Sequence, residues 1–375
     1  MSSGARDRWT VTVHGSWQEA AGDWRPFFAE GPSPTPFQAE PWLAHWYAAF
    51  SGRPDVQPLL VHVADAGGAA AVALPLILRR DRLRTIEFAD LGITDYNAPL
   101  LGPAAPVDVA EALSLWRAVR ASLPPADLIE FTKVVTEIGG RPNPLVQALG
   151  GEASHLFGNY VRIDTDYETW LRSLAKENRK ELGRFWRVFT RDERARFIFV
   201  EDAETVRKIY GYLTAQQSAR IRSLGLPYLL DEPDYDAFYR DMLLDGLKDG
   251  SAKLSALVAG DELVAGLFGI AHGDHYSMVR ISTAGGEWAN CSPGRLVIER
   301  TMEALHRQGY RVFDFTIGDY GHKRAFEVER VPLVSIHESL SWRGWSTVGY
   351  EGAKAFVKRH PAIEKLARKV LRRAA

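Results

Sequence analysis

The stretch that decides the fold runs from residue 290 to residue 326 and reads N-C-S-P-G-R-L-V-I-E-R-T-M-E-A-L-H-R-Q-G-Y-R-V-F-D-F-T-I-G-D-Y-G-H-K-R-A-F. Pro293 suits the first turn of a helix, where its missing N–H has no partner to lose. Gly309 is placed to end that helix. A short buried strand at 312–315 follows and carries Asp314. A polar turn then concentrates ionisable groups, so the stretch predicts a helix N-terminus facing a polar strand end, a common place to hold an anionic cofactor.

The same order of elements occurs twice in the chain. Each half is predicted to contain meander strands, a loop, a helix of about 16 residues, a strand with an acid followed by an aromatic residue, and a last strand. The acid–aromatic pairs are Glu130-Phe131 and Asp314-Phe315. The pattern predicts an α/β (α+β) protein made of two similarly folded units with mixed sheets. The predicted division is a first half at 1–164, a second half at 165–347 and a helical tail at 348–375.

Composition restricts the class of protein. The chain has 375 residues, 46% hydrophobic and 25% charged residues, and one cysteine. One cysteine excludes an intramolecular disulfide framework and a cysteine-based zinc site. The polar N-terminus does not resemble a signal peptide, and the longest apolar run is about half of what a membrane span needs. We therefore expect a cytoplasmic protein.

The C-terminal tail differs from the rest in charge. Between Lys354 and Arg373 there are eight Lys or Arg and one acid, a net charge of +7, although the whole chain carries −1. In residues 361–373, apolar and basic side chains occupy opposite sides of a predicted helix. Such a helix can attach peripherally to an anionic membrane surface, where each basic residue contributes about 1 kcal/mol. The alternatives are a helix that docks on the body of the protein or that binds a partner.

Five motifs, in this order, resemble a known family. They are P-F-Q-A-E-P-W-L (36–43), D-Y-N-A-P-L (95–100), K-E-N-R-K-E-L-G-R (176–184), S-P-G-R-L (292–296) and F-D-F-T-I-G-D-Y-G-H-K-R-A-F (313–326). With the order of elements, each half resembles the acyl-CoA N-acyltransferase (GNAT) fold, and the tandem resembles the FemAB-like arrangement. More narrowly, the chain is similar to CelD/BcsL-type acetyltransferases of bacterial exopolysaccharide synthesis, including cellulose and holdfast-type polysaccharides.

The resemblance has two departures. The family usually has a Tyr immediately before the Lys of the final motif, whereas this chain has His322 there and Tyr320 two residues earlier. The usual acetyl-CoA loop of single GNAT domains, Gln/Arg-x-x-Gly-x-Gly/Ala, is absent, and Ser292 to Arg295 occupy the equivalent turn. Acetyl-CoA as acyl donor is therefore implied by the family and not by a phosphate-binding signature.

The resemblance implies a cofactor site at the helix start. Ser292, Gly294 and Arg295 are expected to hold the pyrophosphate of CoA, through backbone N–H groups and a guanidinium. The alternative is that Ser292 is an ordinary N-cap before Pro293.

The polar turn supplies the candidate catalytic residues. Acyl transfer to an amine needs a base for the ammonium proton and an acid for the departing thiolate. Asp319 or His322 is a candidate base, Tyr320 or His322 a candidate acid, and Lys323 a candidate contact to an anionic substrate. The alternative is a structural pair of Asp314 with Lys323 and a solvated His322.

Two further groups are candidate substrate contacts. Asp95, Tyr96 and Asn97 line the cleft if the two halves face each other, and they are suited to a saccharide; the alternative is an Asx turn before Pro99. A basic ridge at 176–196, which includes Arg179 and Arg184, is suited to a sugar-nucleotide or lipid-linked pyrophosphate, or to a cyclic dinucleotide. The alternative is a solvated helix whose arginines pair with neighbouring glutamates.

Other ligands are not expected. Of the histidines only His272 and His275 are close together, no third ligand is evident, and the helical H-x-x-x-H spacing is missing, so we expect no metal. A nucleic-acid partner is not expected either, because the body is acidic and has no aromatic–basic platform.

The sequence leaves three functions open. The first is an acetyl-CoA-dependent N-acetyltransferase that acts on an amino sugar, or on a lipid-linked saccharide or related precursor of an exopolysaccharide. The second is an aminoacyl-tRNA-dependent FemAB-like transferase. The third is a non-catalytic subunit that senses a nucleotide or scaffolds a polysaccharide synthesis complex.

Overall fold

The computed structural model of the chain describes residues 8–32, 35–319 and 321–345. The first half contains nine strands and four α-helices in the described ranges: β1 (Trp9–His14), α1 (Trp17–Glu30), α2 (Glu40–Phe50), β2 (Val56–Asp65), β3 (Ala70–Arg80), β4 (Arg84–Phe88), β5 (Leu100–Leu101), α3 (Val109–Ser122), β6 (Leu128–Val135), β7 (Glu137–Ile138), β8 (Arg141–Pro142), α4 (Pro144–Leu149) and β9 (Glu152–Arg162).

The second half continues with helices and then a meander. Its elements are α5 (Tyr167–Ser173), α6 (Lys176–Phe189), β10 (Ala195–Val200), α7 (Ala203–Ser223), α8 (Pro233–Asp249), β11 (Ala252–Ala259), β12 (Glu262–His272), β13 (His275–Thr283), α9 (Pro293–Arg307), β14 (Val312–Asp314), α10 (Gly321–Arg324) and β15 (Glu329–Ser339). Short 3-10 turns lie at Pro36–Gln38, Leu229–Asp231 and Gly286–Cys291.

Thirteen of the described strands form one mixed sheet. Its order is β1-β2-β3-β4-β6-β15-β9-β14-β13-β12-β11-β10, and β5 pairs with β3. The halves interleave at the centre, because β15 pairs with both β6 and β9, and β9 pairs with β14. The predicted fold class, an α/β protein with mixed sheets and two halves in tandem, is confirmed in the described ranges. The division at residue 164 into separate domains stays a prediction, since each half contributes a strand to the other.

The two halves repeat one local arrangement. β4 pairs in parallel with β6 over Thr85↔Leu128 and Ile86↔Ile129, and β13 pairs in parallel with β14 from His275↔Val312 to Ser277↔Asp314. Helices α3 and α9 lie between the paired strands in sequence, as a parallel connection requires. Glu130 and Asp314, the acids noted in the sequence, therefore occupy corresponding positions in the two halves.

Helix α9 shows why the opening stretch folds as it does. Pro293 is its first residue and Gly309, with φ of 98°, follows its end. Ile298, Met302 and Leu305 are buried in the apolar cluster of the second half, as their spacing predicts. Strand β15 is long because its first part pairs with β9 and its later part pairs with β6.

The predicted amphipathic tail at 361–373, together with the whole segment 348–375, lies outside the described residues. Among the helices that the structure describes, none combines the length and the hydropathy that a membrane crossing requires.

Candidate functional site

The site begins where two parallel strands separate. β13 and β14 pair only as far as Ser277 and Asp314, and β14 ends there. On its other side, β13 contains an irregularity: Phe268 faces Arg280 while the next residue, Gly269, faces Met278. This bulge inserts an extra residue into β13 just beyond Ser277, and bulges commonly occur next to active sites. The strands thus open a crevice whose narrow end holds Asp314.

Asp314 is the centre of a buried polar cluster. Its side chain is 3% exposed, and its Oδ1 accepts hydrogen bonds from the Tyr96 hydroxyl (2.8 Å) and the Thr316 N–H (2.6 Å). Nε2 of His275 lies 3.3 Å from Asp314 Oδ2. An ionised carboxylate can only accept, so Nε2 carries the proton of this contact and Nδ1 is the basic nitrogen of the neutral ring. Asp314 therefore fixes the orientation of the His275 ring, and His275 becomes a candidate base.

The turn after β14 is held in an unusual backbone conformation. Thr316 has φ of 58°, in the left-handed region that a β-branched residue rarely adopts. Its carbonyl oxygen accepts hydrogen bonds from Asn159 Nδ2 (2.9 Å) and Lys323 Nζ (3.1 Å), and Lys323 also donates to the carbonyl oxygen of Ile317 (2.8 Å). Strained residues of this kind are retained where the surroundings fix them, often at functional sites.

Burial shifts the pKa of two groups around this turn. Lys323 is 2% exposed, and burial lowers the pKa of its ammonium to about 8, against the opposing effect of Asp314 and Asp95. Burial also raises the pKa of the Asp95 carboxyl to about 6, although nearby Lys133 and a hydrogen bond with Thr316 act in the other direction. Both groups therefore change protonation closer to neutral pH than ordinary side chains of their kind.

A cavity of about 420 Å³ opens beside Asp314, between the two halves. Its volume is within the usual range of small-molecule sites. We call it the cleft cavity; its lining consists of Thr35, Tyr96, Val135, Thr136, Glu137, Tyr160, Arg162, His275, Val312, Asp314, Arg330, Val331 and Pro332. Both halves line the cavity: the first contributes Tyr96 and Tyr160, and the second contributes His275, Asp314 and Arg330.

The structure does not bring the predicted catalytic residues together in one place. Lys323 lies in the buried cluster just described. Asp319 is exposed, and its carboxylate binds Arg324 at 3.0 Å. His322 lies in α10, and Tyr320 lies outside the described residues. Their roles in the reaction stay predictions.

The three predicted residues of the first-half loop separate in the same way. Tyr96 reaches Asp314, and Asp95 lies near Lys323. Asn97 instead donates to Asp90 Oδ2 (3.0 Å) and to the carbonyl oxygen of Thr132 (2.9 Å), inside the first half.

The predicted cofactor residues lie at the start of α9. Ser292 has φ of 45°, and its side chain makes no capping hydrogen bond. Arg295 binds Glu181 Oε2 through Nη1 at 2.8 Å and lies over the Phe185 ring, while its buried Nε finds no partner in the described ranges. Arg184 lies over the same ring, at 4.8 Å. Arg184 was predicted to bind substrate, and the structure places it beside the cofactor residues.

This corner fits the acyl-CoA that a GNAT fold uses. The unpartnered N–H of Arg295 and the helix start suit a phosphate group. Gly294 keeps the approach narrow but open, since a Cβ there would lie 3.3 Å from Thr283 Cγ2. Arg179, the other predicted basic contact, donates to the carbonyl oxygen of Arg172 (2.6 Å) instead.

Sequence reasoning missed His275 as a base. The histidine drew attention only as a possible metal ligand with His272. No local pattern links His275 to Asp314, which lies 39 positions later. The parallel register of β13 and β14 brings them together, and no part of the sequence specifies that register locally.

Comparisons with known proteins identify a similar domain and similar folds. Residues 176–324 match the family model of the acetyltransferase (GNAT) domain. No curated protein matches the sequence significantly. Among solved structures, the fold is similar to that of FemX, with a TM-score of 0.61 and 11% identity, covering 90% of this chain and 99% of that one.

Two further structures have similar folds. The DUF2156 domain of a putative lysylphosphatidylglycerol synthetase from Agrobacterium fabrum has a TM-score of 0.53 and 12% identity, covering 89% of this chain and 95% of that one. L-PGS from Bacillus licheniformis has a TM-score of 0.50 and 10% identity, covering 87% of this chain and 94% of that one. The match of residues 176–324 to an acetyltransferase (GNAT) domain supports the predicted acyltransferase, and the fold of the chain is similar to that of FemX.

Proposed function

We propose that the protein is an acetyl-CoA-dependent N-acetyltransferase whose acceptor is an amino sugar, free or in a precursor of a bacterial exopolysaccharide. The observation that carries this proposal is the His275–Asp314 contact. It joins a candidate base at the start of β13 to a buried carboxylate at the end of β14, on the wall of the cleft cavity. An amine bound in that cavity lies beside the base that its reaction needs.

The donor is assigned to the crevice and the start of α9. Gly294, Arg295 and Arg184 would hold the phosphate-bearing part of acetyl-CoA. When bound, acetyl-CoA supplies a thioester whose carbonyl carbon an uncharged amine can attack. The bulge of β13 and the end of β14 leave the crevice open toward Asp314, so the proposed donor and acceptor sites would lie on either side of that residue.

The proton balance uses two residues. His275 Nδ1 accepts the proton that the amine loses as its nitrogen bonds to the acyl carbon. The carbon–sulfur bond breaks, and the Lys323 ammonium, whose pKa burial has lowered to about 8, gives a proton to the thiolate. Both residues then exchange protons with solvent, so that the amide and the free thiol are the products.

The cleft cavity supports a saccharide acceptor. Tyr96 and Tyr160 supply aromatic surface, and Thr35, Thr136 and Glu137 supply oxygen atoms. Sugars present both hydroxyl groups and apolar ring faces, so a small cavity with this mixture suits them. Attachment of residues 361–373 to an anionic membrane would bring the site to a lipid-linked acceptor.

Calorimetric titration with acetyl-CoA tests the donor. We expect micromolar binding by the full chain, and at least tenfold weaker binding by Gly294→Trp, because the indole would fill the approach to Arg295. Gly211→Trp is the matched control, since Gly211 is an exposed glycine of α7 with no atom near its Cβ position. Absence of binding at millimolar acetyl-CoA would overturn the proposal.

Such a negative result would leave the other two functions. Transfer from aminoacyl-tRNA, measured with labelled aminoacyl-tRNA and an amino-sugar acceptor, would then identify the transferase alternative. Failure of both transfers would leave the non-catalytic, nucleotide-sensing or scaffolding subunit.

A further inference from the structure

Arg280 on β13 is a buried arginine whose hydrogen bonds all go to neutral groups. It is 3% exposed. Gln217 Oε1 accepts from Nε (2.9 Å) and Nη2 (2.7 Å), and Nη2 also donates to Thr214 Oγ1 (3.2 Å) and the Tyr228 hydroxyl (3.3 Å). Nη1 is buried and finds no partner in the part of the chain that the structure describes.

No acid among the described residues forms a salt bridge with Arg280; Asp236, hydrogen-bonded to the Tyr210 hydroxyl, lies one residue further away. The rings of Tyr210 and Tyr239 lie 5.0 and 5.5 Å from the guanidinium carbon and provide a cation–π environment. Such rings compensate only part of the cost of removing a guanidinium from water. A buried cation with an unused N–H is the expected free state of a site that receives an anion.

Arg280 lies on the same face of the sheet as Asp314. Asp314 of β14 lies opposite Ser277 of β13. On the other side of β13, Ser277 lies opposite Ile270 of β12, and Arg280 lies opposite Phe268 of β12. Ile270 and Phe268 are two positions apart on β12, so their side chains and those opposite them face one side. Arg280 lies three residues beyond Ser277, about 7–10 Å along the strand. It therefore flanks the opening between β13 and β14, on the face of the sheet that carries Asp314.

The surroundings of Arg280 also touch the first half. The Tyr239 ring, which covers the guanidinium, lies 6.4 Å from the ring of Trp42 in α2. Tyr235, earlier in α8, donates from its hydroxyl to the carbonyl oxygen of Leu91 at 3.2 Å. The helix that packs on Arg280 thus also contacts the first half of the chain.

We propose that Arg280 determines specificity by binding an anionic group, a carboxylate or a phosphate, of the acceptor. The acceptor would then be an amine that carries an acid, with its nitrogen at His275 and its anion at Nη1 of Arg280. This inference rests on the proposed function for the identity of the acceptor, but the anion site itself rests on Arg280 alone.

Three amino sugars test the inference on the full chain: glucosamine, glucosamine 6-phosphate and muramic acid. We expect wild-type kcat/KM with acetyl-CoA to be at least tenfold higher for one of the two anionic sugars than for glucosamine. Arg280→Gln should remove that preference through KM and leave glucosamine within about twofold. The two anionic sugars distinguish phosphate from carboxylate. Arg240 is an exposed arginine of α8, and Arg240→Gln is therefore the control for loss of a positive charge.

Binding without turnover separates this inference from the proposed function. If no sugar is acetylated, calorimetric binding of the anionic sugars that is tighter than that of glucosamine and lost in Arg280→Gln would still support the anion site. If Arg280→Gln does not fold, the affinities of the wild type for the three sugars test the anion site on their own. Equal affinity of the wild type for all three sugars, or an equal loss for all three in Arg280→Gln, would overturn the inference.

Discussion

The hydroxyl of Tyr96, in the first half, donates a 2.8 Å hydrogen bond to Oδ1 of Asp314, in the second half. The two residues are 218 positions apart, and both are almost completely buried. Asp314 also orients His275, so this hydrogen bond couples the interface between the halves to the proposed base. A change at Tyr96 should therefore affect both stability and catalysis.

Replacement of Tyr96 by Phe removes this hydrogen bond and leaves a buried carboxylate with one partner fewer. We expect the free energy of unfolding to fall by about 1–2 kcal/mol in urea denaturation. We also expect kcat to fall with little change in KM for acetyl-CoA. Tyr47→Phe is the matched control, because the buried Tyr47 hydroxyl donates to the carbonyl oxygen of Leu76, away from the site. If Tyr96→Phe and Tyr47→Phe have similar stability and lose kcat equally, Tyr96 has no specific role at the site.

Gly158 of β9 leaves the space that Tyr96 occupies. A Cβ at this position would lie 2.2 Å from the Tyr96 hydroxyl oxygen. We expect Gly158→Ala to displace Tyr96 and to destabilise the protein by about 1–3 kcal/mol. In a Tyr96→Leu background the same substitution should cost clearly less, because the clashing atoms are absent. Additive losses in the double-mutant cycle would show that the two residues do not compete for this space.

His275→Gln removes the proposed base but keeps a polar side chain of similar size. We expect kcat to fall by about 10²- to 10⁴-fold, the usual contribution of a general base, with acetyl-CoA affinity unchanged. His272→Gln is the control, since His272 is exposed and lies outside the lining of the cleft cavity. Turnover of His275→Gln at the wild-type rate would remove this histidine from the mechanism.

Lys323 should make stability depend on pH. Burial lowers its pKa from the usual 10.5 to about 8, so between these values the unfolded chain binds a proton that the folded chain does not. The contribution of Lys323 to the free energy of unfolding therefore rises with pH between about 8 and 10.5. It is lost again, by up to about 3 kcal/mol, as the pH falls toward 8. Lys323→Met should gain stability relative to wild type at pH 7 and lose most of that gain near pH 10.

Urea denaturation of both proteins at several pH values between 7 and 10 measures this difference. Lys248→Met, which removes an exposed lysine of α8, is the control for loss of a surface charge. A constant difference between Lys323→Met and wild type across this range would contradict the assigned shift.

The tail prediction concerns residues that the structure does not describe. Truncation after Arg359 removes the predicted amphipathic segment at 361–373. We expect the full chain to bind vesicles that contain anionic lipid and the truncated chain to lose most of that binding, because the basic residues that contact the lipid are gone. Equal sedimentation of both chains with the vesicles would reject membrane attachment through this segment.

Several features of the molecule were determined by the sequence alone. The apolar spacing, Pro293 and Gly309 were sufficient to predict helix α9. The repeated order of elements was sufficient to predict the tandem α/β fold. These are local properties, since a helix or strand depends mainly on residues a few positions apart. The motif order predicted an acyltransferase, and residues 176–324 match that family. Lys323 and Tyr96 were also identified as candidates from motif position.

Only the tertiary structure decided which of the candidate residues meet. Asp319 pairs with Arg324 at the surface, whereas His275, which the motifs did not select, contacts Asp314 because two parallel strands share a register. The exchange of β9 and β15 between the halves likewise depends on pairing between distant segments. Strand register and burial are set by packing over the whole chain, so charge, distance and pKa at the site follow from the folded molecule and not from neighbouring letters.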